Sequence, residues 1–456
     1  MGAVAVDLGS RVVSRAAADA ELLARVGWSC CTEPGDRAAV AVIDALGAAP
    51  AWEWLLSART LSPTRAARVL VERLRVLDDT DPDAPLSAPS GRAVPVLARA
   101  LERWRPRLDT DPERMLAAAG RIGAQPLIPG RTGWPERVAD LGGTAPICLW
   151  VRGEPRVDQL VARSVALVGA RAASDYGEQV TTDLAVDLAR GGVTVLSGGA
   201  YGIDAAAHRG ALAGRPAAST VALLAGGPDR LTPAGNAELL RRVIDQGGSV
   251  IAESPPGRPP SRSRFLLRNR LIAALTGATV VVEAGWRSGA LNTAHHAAEL
   301  FRPVGAVPGP VTSAASAGCH RLLRSGVGVC VTDAAEVREL LVGAAVRSDG
   351  GRGPDAGDDG SGCGLVAMGP GHGSRARGGD MSGGARRSPP GDAPPHSRRA
   401  RVMDALRRYP AGTARVAARA GLAIDEVEAE LGLLELDGVA RRTSEGRWAT
   451  VPEPER

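Results

Sequence analysis

The chain has 456 residues and a mass of 46.8 kDa, more than one hydrophobic core usually serves, so two or three domains are expected. Its 55 basic residues are all arginine, which excludes a Walker-type phosphate loop and Schiff-base chemistry, both of which need a lysine. A net charge of +5 and a pI near 9.2 permit a polyanionic partner without requiring one.

The N-terminus carries Asp7, Arg11 and Arg15 with no apolar signal core, and no apolar run reaches the roughly 18 residues that a membrane span needs. The six cysteines (Cys30, Cys31, Cys148, Cys319, Cys330 and Cys363) show no Cys-x-x-Cys spacing, so scattered thiols, a reducing compartment and a cytoplasmic protein are expected. Residues 21–119 repeat apolar positions at three and four, with breaks at Pro34, Pro50, Pro63 and Pro82, and predict a small all-α domain over 1–119. A connector punctuated by Pro126, Pro129, Trp134, Pro135 and Pro146 follows.

From Ile147 the period changes. Short branched-aliphatic runs at 165–168, 193–196, 221–224, 249–252, 279–282, 304–307 and 327–331 alternate with helical stretches. These are placed at 175–190, 204–212, 236–246, 268–276, 290–300 and 334–341. Strands apolar on both faces with helical crossovers mean a parallel, doubly wound α/β sheet, here a core domain over 120–342. Residues 343–399 are Gly, Ser, Pro, Asp and Arg with few branched aliphatics, the composition of a flexible linker. The remainder, 400–456, reads as three helices at 402–408, 414–419 and 424–436 and a hairpin closing on Trp448, the order of a winged helix. Its third helix carries Asp425, Glu426, Glu428, Glu430, Glu435 and Asp437, which would repel DNA phosphates and point to a protein-contact role.

In an open parallel sheet, ligands sit beyond the carboxyl ends of the strands. Here those ends lead into Gly169-Ala170-Arg171, into the run from Ser197 and Gly198 to Gly202 and Asp204, into Gly226-Gly227, and into Glu283 through Arg287, Ser288 and Gly289. None is a Gly-x-Gly-x-x-Gly fingerprint, so a nicotinamide cofactor is disfavoured; no cofactor is expected. Residues 258–270 hold Arg258, Arg262, Arg264, Arg268 and Arg270 with no acid among them, lead toward a helix N-terminus, and suit a phosphate polymer better than one nucleotide. Tyr176, Tyr201, Phe265 and Trp286 are the aromatic candidates for base stacking; packing serves each equally well, and better for Phe265. Asp204 and His208 share a helix face and read as a pair fixing the helix; His295, His296 and His320 supply no metal spacing, and no nucleophile elbow occurs.

Taken together, several motifs resemble the DNA-processing protein A family (DprA/Smf). They are Val168-Gly-Ala-Arg171, the run from Ser197 to His208, Phe265 with Arg268-Asn269-Arg270, Val282-Glu283, Arg287-Ser288-Gly289, and Val307-Pro-Gly309. The resemblance implies an extended Rossmann-like core with a helical N-terminal (SAM-like) domain and a C-terminal winged helix. It further implies sequence-independent binding and protection of single-stranded DNA, a homodimer, and loading of RecA recombinase in natural transformation, without catalysis, metal or membrane. Its DNA-binding pocket would fall on Gly169, Arg171, Gly198, Gly202, Arg264, Arg268, Asn269, Arg270, Arg287, Ser288 and Gly289. Two positions depart from the family pattern: Ala170 stands where a serine is usual, and Tyr201 where an arginine is. The alternative expectation is a nucleotide N-glycosidase, which would need a rim carboxylate such as Glu283 or Glu299; its usual Pro-Gly-Gly-x-Gly-Thr turn is missing.

Overall fold

A computed structural model describes residues 2–80, 93–215, 217–349 and 398–406, and positions 412–420, 422, 427, 430–431, 434, 439–443 and 448–450. They fall into two units, Met1–Asp358 and Asp359–Arg456. In the first unit six helices lead: α1 (Gly2–Cys31), α2 (Arg37–Leu46), α3 (Ala48–Ser57), α4 (Pro63–Thr80), α5 (Ala93–Trp104) and α6 (Pro112–Arg121). Cap chemistry sets two of their starts. Asp36 accepts the Ala38 and Ala39 amides at 3.1 and 3.4 Å, and Asp111, followed by Pro112, accepts that of Glu113 at 2.9 Å. At the centre of the helical core, Trp28 meets Trp52 and Trp104 edge to face, with ring centroids 6.0 and 5.2 Å away. Among the described residues no single helix is long and apolar enough to cross a membrane. Arg37–Leu46 and Ala48–Thr60 qualify only as a pair bent by 112°, and both contribute to this core.

The chain then enters a nine-stranded sheet through β1 (Ala124–Leu127) and β2 (Leu149–Gly153), followed by the short helix α7 (Val157–Val161). Alternating with helices come β3 (Ser164–Gly169), α8 (Asp175–Arg190), β4 (Thr194–Gly198), α9 (Ile203–Gly214), β5 (Thr220–Leu224), α10 (Ala237–Asp245), β6 (Ser249–Ala252) and α11 (Arg262–Leu275). The series ends with β7 (Ala278–Glu283), α12 (Ala290–Glu299), β8 (Val304–Ala306), α13 (Ala317–Arg324), β9 (Val329–Cys330) and α14 (Ala334–Asp349).

Strand order is β1-β2-β6-β5-β4-β3-β7-β8-β9, and every pairing from β6 to β9 is parallel. The first two strands differ from the expected connector: β2 pairs antiparallel with β6, and β1 with β2. They form because β2 has two apolar faces to bury. Leu149 and Val151 join the cluster beneath α11, while Trp150 packs with Val26, Cys30 and Ile128 on the side of the leading helices. Elsewhere alternate strand residues divide between layers. Val165, Leu167 and Val195 pack with α8 and α9, and Ala166, Val168 and Leu196 with α11 and α12, which is why the runs are apolar at every position.

Two features of the fold matter for the site, and the second departs from the sequence expectation. The chain walks outward from β3 through β4, β5 and β6, then α11 carries it back to β7 on the other side of β3, which makes β3/β7 the topological switch point. Helix α11 also starts at Arg262 rather than Arg268, because Ser261, just after Pro259-Pro260, caps the Arg264 amide at 3.3 Å.

In the second unit, α15 (Arg398–Leu406) and α16 (Thr413–Ala420) accompany an antiparallel pair, β10 (Ala440–Arg442) and β11 (Trp448–Thr450), around Val402, Val416, Leu431 and Trp448. The proposed linker falls mainly on residues 350–397, and the acidic positions 425, 426, 428, 435 and 437 of the expected third helix also lie outside the described residues.

Candidate nucleic-acid interface

Three strand-end turns are tied together at the switch point. The Ala170 amide donates to the Glu283 carbonyl at 2.7 Å, and the Ala170 carbonyl accepts the Ile203 amide at 3.1 Å, linking the turns after β3, β4 and β7. Gly202 makes this approach possible: it sits at φ +69°, and a Cβ there would lie 2.4 Å from the Ala170 carbonyl. Asn236 holds the β4 turn from outside, donating to the Gly199 and Ala200 carbonyls at 2.9 Å each. Asn269 steadies the β7 loop, donating to the Gly289 carbonyl at 3.2 Å.

Between these turns and α11 lies a cleft of about 290 Å³, lined by Gly169, Arg171, Asp204, Phe265, Arg268, Asn269, Ser288 and Gly289, among others. Phe265, Arg268, Asn269 and Ile272 share one face of α11, at the i, i+3, i+4, i+7 spacing of a helix. Arg171 is exposed, and its guanidinium lies over Phe265, 4.7 Å from the ring centroid. Arg287, adjacent to the lining residue Ser288, is exposed. Neither Arg171 nor Arg287 makes an ion pair with a described carboxylate.

Below the cleft, Arg268 is buried, donates to the Leu223 carbonyl and has an Nε without a partner. Burial lowers its pKa, Asp204 opposes that shift and Arg171 adds to it. The floor has room for this guanidinium because residue 198 is glycine: a Cβ there would lie 2.2 Å from Nη1 of Arg268 and 2.4 Å from Oδ2 of Asp204.

Asp204 and His208 each fix the turn separately. Asp204 accepts the Ala200 amide at 3.2 Å, whereas His208 places Nε2 2.8 Å from the Gly198 carbonyl and Nδ1 2.7 Å from the Thr220 hydroxyl. Burial holds the imidazole pKa below its usual value, against the opposing influence of the Gly198 hydrogen bond and Asp204.

The structure does not bring the whole arginine segment to this cleft. Arg264 is bidentate to Glu33 at 2.8 and 2.9 Å, Arg270 reaches both oxygens of Glu253 at 2.7 and 2.6 Å, and Arg258 donates to the Cys30 carbonyl. These three guanidiniums line a seam between the leading helices and the sheet, where Glu253 also accepts the Gly35 amide at 3.1 Å. The expected run of arginines without acids holds only along the sequence; in the fold the acids arrive from just after β6 and from the turn after α1. Arg262 remains exposed.

Tyr201 is half exposed and leans on Gly235; Tyr176 donates to the Pro308 carbonyl at 2.6 Å. Glu283 is buried, with one oxygen accepting the Ser174 amide at 2.9 Å and the other its hydroxyl at 2.6 Å, so it anchors the start of α8. Glu299 ends α12 beside His296 at 3.0 Å. Burial raises the Cys30 and Cys31 thiols to about 11 and about 12, which disfavours thiolate chemistry there. Among the described residues, no group of three or more His, Cys, Asp or Glu is placed to hold a metal ion.

The family profile for DNA recombination-mediator protein A matches residues 125–342, and that for the DprA winged helix domain matches 386–446. The chain belongs to the DNA processing protein A family. A putative DNA processing protein DprA of Mycobacterium tuberculosis is 55% identical over 199 residues, 44% of this chain and 50% of that protein. Protein Smf of Escherichia coli is 39% identical over 196 residues, 43% of this chain and 51% of that protein. The chain thus spans about half the length of these curated relatives. A solved structure of DNA processing protein A from Helicobacter pylori, described for its single-stranded DNA binding mode, is 26% identical. It covers 48% of this chain and 96% of its own, with a TM-score of 0.43.

Proposed function

We propose that the chain binds single-stranded DNA without sequence preference along the β3/β7 rim and does no chemistry on it. The observation that supports this reading is the pairing of two exposed guanidiniums, Arg171 and Arg287, both without acid partners among the described residues, with a cleft floored by glycine turns and a buried Arg268. Exposed cations with no carboxylate in reach are available to phosphates, and backbone turns impose no base identity. Gly169, Gly198 and Gly202 would let the strand approach, and Asn269, Ser288 and Gly289 would shape its path. Arg264 and Arg270, on this reading, set the position of α11 from behind.

Membership of a family described as a DNA recombination mediator supports extending the reading. Working as a homodimer, the protein would protect incoming strands and pass them to RecA recombinase during natural transformation. The organisation expected from sequence fits that role, with residues 1–119 as a helical platform and 120–342 as the binding core.

The test is a fluorescence titration with poly-dT and mixed-sequence oligonucleotides at two salt concentrations. Binding should fall steeply with salt, by a log–log slope of about −0.7 per phosphate contact, and differ little between sequences. Salt-independent binding, or a strong preference for one sequence, would contradict the proposal.

A further inference from the structure

Just outside the cleft, Trp286 occupies the loop between β7 and α12 and is 48% exposed, an unusual position for the largest apolar side chain. The guanidinium of Arg321, from α13, lies over its ring, 5.3 Å from the centroid. Beside that contact the ring remains about half exposed. Helix α13 contains no acidic residue, and neither Arg321, nor Arg324 one turn further, nor Arg287 beside the tryptophan pairs with a described carboxylate. The nearest acid on α12, Glu299, is engaged by His296.

A half-exposed indole with a guanidinium over its ring and further arginines on α13 and in its own loop has the two features that a single strand needs: a flat surface for a base and positive charge for phosphates. Sequence reading places Trp286 only among possible rim aromatics; its pairing with Arg321, 35 positions away, appears only in the fold. We propose that Trp286, between Arg287 and Arg321, is a base-stacking station that carries the strand out of the cleft and onto α13. This rests on the cleft being the strand's main site, and it adds a direction of exit and a second, separable contact.

The separation gives the test. Full-length protein is titrated by fluorescence polarisation with labelled oligo-dT of about five nucleotides, enough for the cleft, and of about fifteen, enough to pass Trp286. Trp286→Ala should weaken the longer strand about fivefold or more while leaving the shorter unchanged, and Trp286→Phe should restore most of the loss, since any aromatic ring stacks. Arg171→Ala should weaken both. If Trp286→Ala leaves the longer strand unchanged, or weakens both strands alike, the station is overturned while the cleft stands. If Arg171→Ala affects neither strand, the cleft reading itself fails. Should Trp286→Ala not fold, Arg321→Ala reads the same station. It should weaken only the longer strand and reduce the salt slope by about 0.7, and an unaltered slope overturns the proposal.

Discussion

The rim and the seam use the same residue type for opposite purposes. At the rim, Arg171 and Arg287 are exposed and pair with no described carboxylate, and Arg268 lies buried beneath them. At the seam, Arg264 and Arg270 are turned inward onto Glu33 and Glu253, and their charge is cancelled within the protein. An arginine is available to a polyanion when no carboxylate reaches it; the density of arginines in the sequence does not decide this. Unpaired surface charge acts over a screening length of about 10 Å at moderate salt, whereas a paired, buried guanidinium acts only on its partner.

The largest effect that should divide the two regions is on stability. The side chains of Arg270 and Glu253 are only 5% and 10% exposed, and removing one member strands a buried charge. Arg270→Ala should destabilise the protein by about 3–5 kcal/mol in denaturant unfolding, with DNA affinity of the folded protein little changed. Replacing both partners by apolar residues, as in Arg270→Met with Glu253→Leu, should recover most of that loss. A stable Arg270→Ala protein that no longer binds DNA would move this residue from the seam to the rim.

Next in size are the rim substitutions. Arg171→Ala or Arg287→Ala should each lower single-strand affinity about tenfold, close to 1.4 kcal/mol, through loss of a charge-assisted phosphate contact. The melting temperature should fall little, since neither side chain pairs with a described carboxylate and Arg171 would lose only its contact over Phe265, worth about 0.5–1 kcal/mol at an exposed site. Each should also make the salt slope shallower by about 0.7, whereas Arg264→Ala should leave the slope unchanged. Equal slopes for Arg171→Ala and Arg264→Ala would erase the distinction between the regions.

How far this division was legible in sequence depends on the element. The parallel sheet was readable because strands buried on both faces leave unbroken apolar runs, as in 165–168 and 279–282. The first two strands, β1 and β2, were not, since their apolar residues lie among prolines and β2 joins the sheet only when β6 arrives about a hundred positions later. The glycine turns were legible as turns. Their joining through Ala170 was not, because backbone hydrogen bonds between distant loops leave no residue signature.

The arginine segment shows the clearest gap. A helix turns about 100° per residue, so once α11 starts at Arg262, Phe265, Arg268, Asn269 and Ile272 gather on one side while Arg264 and Arg270 point elsewhere. Ser261 after two prolines was the available sign of that start. The choice of acids was beyond reach: Glu33 lies 231 positions from Arg264. Asn236 escaped for a similar reason, being one turn asparagine whose carbonyl partners lie 36 and 37 positions away.

The smallest effect concerns pH, and it tests the seam without touching the rim. Burial alone would raise the Glu33 carboxyl, but the hydrogen bonds and charges of Arg264 and Arg107 outweigh it and hold its pKa below the ordinary glutamate value. A carboxyl with a depressed pKa in the folded state contributes stability above its unfolded value, near 4.3, and that contribution is lost as pH falls through the folded value. Glu33→Gln should therefore be less stable than the natural protein at pH 7, and the difference should close as pH drops below about 4. Glu33 is 38% exposed, so solvent screens the pair and the difference should be small beside that of Arg270→Ala. Denaturant midpoints measured for both proteins from pH 7 to pH 3 at constant ionic strength decide the matter. Curves that stay parallel throughout would mean that Arg264 does not hold Glu33 as a carboxylate, and its guanidinium would then be free to be reckoned with those of the rim.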